Sequence, residues 1–271
     1  LGKLLNKIMR PIFNVPGESC IALILGTISG YPVGAKIVCN LKKEKIISKI
    51  EAERLIAYTN NSGPLFILGT VGVALFGNKK IGIILLISHI LSAFLVGYCF
   101  RFWKKDKFDI NFREIKFNSK LTPIKLSNIG GILGDAIKNS ISNVLSIGGF
   151  VVLFSVILSI LKSSGIINII TNLLYCIGIP INISTSFITG IIELTNGVNL
   201  SSTLYTSIPF MSIFLTSFLL GFGGLSVLLQ VYSIISKENI SIKPYFYGKL
   251  LQGFFSILLS FIFYITLYSI S

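Results

Sequence analysis

Apolar residues along this chain come in blocks too continuous for surface helices and without the alternation of transmembrane strands. Blocks long enough to approach the ~20 residues of a membrane-crossing helix recur at Leu55 to Phe76, Ile81 to Trp103, Ser146 to Leu161, Ile208 to Ile235 and Tyr247 to Ile270. The pattern predicts an all-α polytopic membrane protein. One block breaks off early: CIALIL ends on GTISGYPVGAK, where Gly30, Pro32 and Gly34 stop a helix of half the needed length. A further weak span is expected at Ile166 to Ile183, and GKLLNKIMRPIF is expected on the membrane surface, with Lys3, Lys7 and Arg10 along one side.

The interruptions recur. At an offset of 164 residues Pro16 falls on Pro180 and Gly26 on Gly190, pairing FNVPGESCIALILGTIS with IGIPINISTSFITGIIE. At 161 residues NNSGPLFIL around Gly63 pairs with FGGLSVLL around Gly224. Two copies are therefore expected, residues 1–103 and 128–271, joined by a polar linker at 104–127. Leu1 matches Gly165, so the first copy lacks a counterpart of Asn128 to Ser164, and the chain does not open on Met. A copy shortened at its N-terminus is the expectation.

Composition changes this picture little: 52% hydrophobic and 13% charged residues suit a membrane protein. The net charge of +14 raises nucleic acid as a partner, but seventeen of the 24 basic residues fall in three polar segments, Lys36–Arg54, Arg101–Lys125 and Lys237–Lys249. That is a topology signal, placing these segments in the cytoplasm, and no aromatic-interleaved motif supports nucleic-acid binding. Counting crossings between basic segments makes the two copies inverted, with Ile166 to Ile183 required as a span. EAERL then reads as a solvated helix start. Cys20, Cys39, Cys99 and Cys176 are widely spaced, as expected of free thiols.

The breaks carry the chemistry. A helix that ends inside a bilayer exposes backbone groups that hydrocarbon does not tolerate, so each break must face protein, water or a ligand. Two inverted breaks meeting near the midplane form the site geometry of secondary transporters. The first break supplies Ser29, Gly30, Tyr31, Gly34 and Lys36. The second supplies Thr195, Asn196 and Glu193, the only acid deep inside a predicted apolar segment, for proton or sodium coupling or for bonding substrate directly. Three adjacent polar residues, Asn60, Asn61 and Ser62, followed by Gly63 and Pro64, cannot all face one neighbour, which predicts unwinding there. Gly223, Gly224, Ser226 and Gln230 form the softer counterpart. His89 reads as a hydrogen-bonding residue between helices. Nucleophile elbows, Walker motifs and metal pairs are missing from the sequence, so no enzymatic activity and no cofactor are expected.

FNVPG, SGYPVGAK, EAERL, TNNSGPLFILGTVGV and GGFVVLFSV together resemble the sporulation integral membrane proteins of the YlbJ type, also called stage V sporulation protein V, in the nucleoside-recognition or Gate-domain group. The resemblance implies two Gate repeats and transport of dipicolinic acid across the outer forespore membrane. The expected partners are a small anionic aromatic substrate, the lipid bilayer and a coupling cation, H+ or Na+, with a homo-oligomer left open. A nucleoside permease and a non-transporting membrane scaffold are the alternatives.

Overall fold

The computed structural model of the protein describes residues 2–104 and 129–269, and every regular element among them is a helix. The expected linker at 104–127 lies, but for its first residue, outside the described residues. In chain order the helices are α1 (Gly2–Phe13), α2 (Cys20–Ile28), α3 (Val33–Lys43), α4 (Lys49–Thr59), a π-helical segment (Phe66–Leu75), α5 (Lys79–Phe100), α6 (Ile129–Ser163), α7 (Ile166–Cys176), α8 (Ile181–Ile192), α9 (Leu194–Thr203), α10 (Pro209–Phe222), α11 (Gly224–Ile235) and α12 (Lys243–Ser269). Among the described residues, four apolar helical stretches are long enough to cross a membrane, Lys79–Phe100, Ile129–Ser163, Pro209–Glu238 and Lys243–Thr266, or five if a bent pair counts as one span.

That bent pair is α1 with Gly17–Ile28, which meet at 88°. Met9 and Phe13 of α1 are buried, while Leu4 and Ile8 face outward. At 1.5 Å per residue, the nine residues of α2 reach only ~14 Å, about half of a ~30 Å hydrocarbon layer. α2 and α3 then pack on each other, as do α8 and α9. The close approach of α2 and α3 to α4 needs glycine: a Cβ on Gly26 would lie 1.9 Å from the Thr59 carbonyl oxygen, and one on Gly34 2.3 Å.

Each break has a local cause. α4 starts on a capping box, Ser48 Oγ accepting from the Glu51 amide at 3.2 Å while a Glu51 oxygen accepts from the Ser48 amide at 2.9 Å. It ends at Asn60, which turns extended (φ −107°, ψ 97°), and Pro64 keeps Gly63 out of the helical region. The chain resumes with π-helical turns, a rare winding that is frequent at functional sites. α10 stops because Gly223 and Gly224 take φ values of 86° and 76°, a left-handed conformation open to glycine without a Cβ penalty. α8 and α9 are separated by one extended residue, Glu193 (φ −140°, ψ 117°).

Several expectations change. The span expected at Ile166 to Ile183 does not exist: α7 has 11 residues, ~17 Å, and Gly178, at φ 91°, and Pro180 end it. α7 occupies the place after α6 that α1 has before α2. EAERL is not solvated. Glu51, Glu53 and Arg54 are all buried, because α4 runs inward from its first turn. Arg54 donates to the Trp103 carbonyl at 3.0 and 2.9 Å and to the Asn14 carbonyl at 3.0 Å, while Glu53 accepts from Trp103 Nε1 at 3.0 Å and Lys104 Nζ at 2.7 Å. All four cysteines are free; Cys20 and Cys39 are buried, and Cys99 and Cys176 are exposed.

Two cores result. One gathers residues of α1 to α4 and α11 with Val96 and Phe100 of α5 and Tyr245 of α12; the other gathers the π-helical segment, α9, α10 and further residues of α5 and α12. The breaks lie where these cores meet.

Candidate functional site

Four interrupted elements converge. A Cβ on Gly30 would lie 3.0 Å from the Gly63 amide nitrogen, so the α2–α3 break touches the Asn60–Pro64 break. One on Gly224 would lie 2.9 Å from the Gly190 carbonyl oxygen and 3.2 Å from Leu194 N, so the α10–α11 break touches the α8–α9 break. Tyr31 joins the two pairs, its hydroxyl 3.0 Å from the Cβ position of Gly223. Between them is a cavity of about 440 Å³.

Ser29, Gly30 and Tyr31 line this cavity from the first break, Ser62 and Gly63 from the first broken span, Glu193 and Thr195 from the second break, and Ser226 and Gln230 from the last. Ile147, Phe150 and Val151 of α6 close one wall. Tyr31 Oη, Ser62 Oγ, Ser226 Oγ and Gln230 Nε2 are buried without a hydrogen-bond partner. Buried polar groups are normally paired, so these four are poised for a ligand's hydrogen bonds.

Glu193 is 1% exposed, and both its oxygens are engaged. Oε1 accepts from the Thr195 amide at 3.1 Å; Oε2 accepts from the Asn196 amide at 2.8 Å and from Asn196 Nδ2 at 2.9 Å. The carboxylate is thus the N-cap of α9 and balances that helix's dipole from inside the membrane segment. Asn196 does not line the cavity; its Nδ2 also donates to Ser155 Oγ of α6 at 3.1 Å. Gly223 and Gly224 shape the break without lining the cavity.

The remaining residues singled out in the sequence lie beyond the cavity wall. Asn60 Oδ1 accepts from the Ala35 amide at 3.2 Å, capping α3 as Glu193 caps α9, and its Nδ2 donates to the Tyr245 hydroxyl at 3.3 Å. That Ala35 amide is therefore not open to a ligand. Gly34 packs on Thr59, and Lys36 points away, its Nζ donating to Asn143 Oδ1 of α6 beside a second, smaller recess. His89 Nε2 accepts from the Ser62 amide at 3.2 Å, pairing a donor that the unwinding released.

Lys249 and Gln252 of α12 were not anticipated. Asn61 Oδ1 accepts from Lys249 Nζ at 3.1 Å and from Gln252 Nε2 at 2.9 Å; Lys249 Nζ also donates to Gln252 Oε1 at 2.8 Å. In the sequence Lys249 reads as the edge of a basic loop. Yet Lys249, Gln252, Ser256 and Ser260 are all fully buried, and their spacing places them on one helical face. That polar stripe inside an apolar block was the available signal.

Long apolar helices, short half-helices and a buried polar centre define an all-α polytopic membrane protein. No family sequence profile and no solved structure match the chain. It is 38% identical to the sporulation integral membrane protein YlbJ of Bacillus subtilis (strain 168), over an alignment covering 94% of this chain and 66% of that protein. The chain belongs to the YlbJ-type family of sporulation integral membrane proteins.

Proposed function

We propose that this protein is a secondary transporter that carries a small anionic aromatic metabolite, dipicolinate, across the outer forespore membrane, without enzymatic activity. The observation that carries the reading is the convergence of four helix breaks on one cavity whose lining holds a buried acid and four unpartnered polar atoms. Breaks of this kind are tolerated at membrane depth only beside protein or a water-filled site. Their paired order supports two inverted Gate repeats: α1, α2–α3, the broken α4 span and α5 are followed in the same sequence by α7, α8–α9, the broken α10–α11 span and α12.

The crossing count follows from this order. α2–α3 and α8–α9 each enter and leave on one side, and α1 and α7 lie along the surface. The basic ends of α3, α5 and α11 then all face the cytoplasm, as the charge bias requires. Losing α7 as a span and turning α8–α9 into a re-entrant pair cancel, so the inversion survives.

A planar ring suits the slot between Tyr31 and the α6 wall. The nucleoside alternative has its own support, since the cavity lining is neutral apart from Glu193 and carries an unpartnered amide and three unpartnered hydroxyls. Uptake of labelled dipicolinate and labelled uridine into vesicles containing the protein separates the readings. Saturable dipicolinate uptake is expected. Uridine uptake alone makes it a nucleoside permease, and uptake of neither leaves a scaffold.

A further inference from the structure

Resting on that reading, we infer that Lys249 is the charge-selecting residue of the transporter, a fixed ammonium that makes the cavity favour a carboxylate over a neutral ring. The side chain is fully buried, yet its ammonium is met only by neutral groups. Two are amide oxygens, of Asn61 and Gln252, and two are ring faces, with the nitrogen 5.4 Å from the Tyr31 centroid and 5.8 Å from the Tyr245 centroid. No carboxylate among the described residues pairs with it; the ion pairs found there, Arg10–Glu51 and Lys104–Glu53, lie elsewhere.

A buried cation without a counter-charge is expensive, and within membrane segments such groups mark function. Its location indicates which function. Lys249 is tied to the first broken span through Asn61 and to the first re-entrant pair through the ring of Tyr31, which itself lines the cavity. The ammonium therefore stands one aromatic ring behind the ligand space. Among the described residues no other cation takes this position: Lys36 turns to Asn143, and the cavity lining contains no Lys or Arg. Glu193, the one charge that does line it, is held by the α9 amides, and the helix dipole offsets about half of its charge. Beside Tyr31 the ammonium of Lys249 supplies the positive contribution to the field, and its missing counter-ion is the substrate's carboxylate.

A ligand ring stacked on the far side of Tyr31 would hold its carboxylate about 9 Å from the ammonium, where a unit charge pair at an effective dielectric of ~20 gives a preference of about twentyfold. The test is competition for uptake into vesicles by dipicolinate and by its uncharged diamide, in the native protein and in K249M, K249Q and K249R. The native protein should favour the dianion roughly twentyfold more than K249M or K249Q does, K249R should keep the native preference, and K249M and K249Q should still bind the diamide. Because the readout is a ratio within one preparation, partial misfolding does not alter it. Equal weakening of both ligands in K249M, or no charge preference in the native protein, would overturn the role of Lys249 and leave transport standing. Failure of the native protein to bind either compound would remove the transporter reading, and this inference with it.

Discussion

Replacing Glu193 by glutamine keeps the side chain's shape and removes its charge, which isolates what the carboxylate does at the start of α9. Two of its three donors converge on Oε2, the Asn196 amide at 2.8 Å and Asn196 Nδ2 at 2.9 Å, and one meets Oε1, the Thr195 amide at 3.1 Å. A glutamine offers one acceptor and sets an NH2 group against the remaining N–H. At least one charge-assisted bond is lost and a buried amide is left unpaired, a cost of about 2–3 kcal/mol. For a chain of this size each kcal/mol lowers the melting temperature by roughly 2–4 °C, so E193Q should melt about 5–10 °C below the native protein in detergent. Intrinsic fluorescence during a thermal ramp reads this directly. E193D, which keeps the charge and suits an N-cap by type, should lose less. An E193Q protein that melts at the native temperature would refute the assignment of this carboxylate as the cap of α9.

Two further outcomes follow from the packing. G26A places a methyl 1.9 Å from the Thr59 carbonyl, with backbone on both sides, and should cost at least about 3 kcal/mol; a native-like thermal transition would show that α2 can shift away from α4. Because Lys36 lies outside the cavity, K36M should transport dipicolinate within about twofold of the native rate, and a larger loss in vesicle uptake would place that ammonium on the substrate path.

The breaks were legible because their causes are local. Gly30 and Pro32, Asn60 to Pro64, and Gly223 with Gly224 disrupt helices by backbone geometry and polarity, whatever surrounds them. Glu193 stood out because an acid in an apolar block is rare. The length of α7 was misread: Ile166 to Ile183 is apolar enough to span, but Gly178 and Pro180 cut it short. Lys36 was expected at the site and Lys249 in a basic segment at the membrane edge, and nothing local distinguishes a lysine that turns outward to Asn143 from one that turns inward to Asn61.

Sequence alone therefore determined the helical class, the membrane environment and the positions of the four breaks, since hydropathy and backbone preference act over a few residues. Only the tertiary structure decided which breaks face each other, that Asn60 and Glu193 occupy the helix N-termini, and that an unpaired ammonium stands behind Tyr31. Those are contacts between residues as much as 218 positions apart, as between Tyr31 and Lys249. They are fixed by how glycine-lined half-helices pack, and a one-dimensional pattern of polar and apolar positions does not encode that packing.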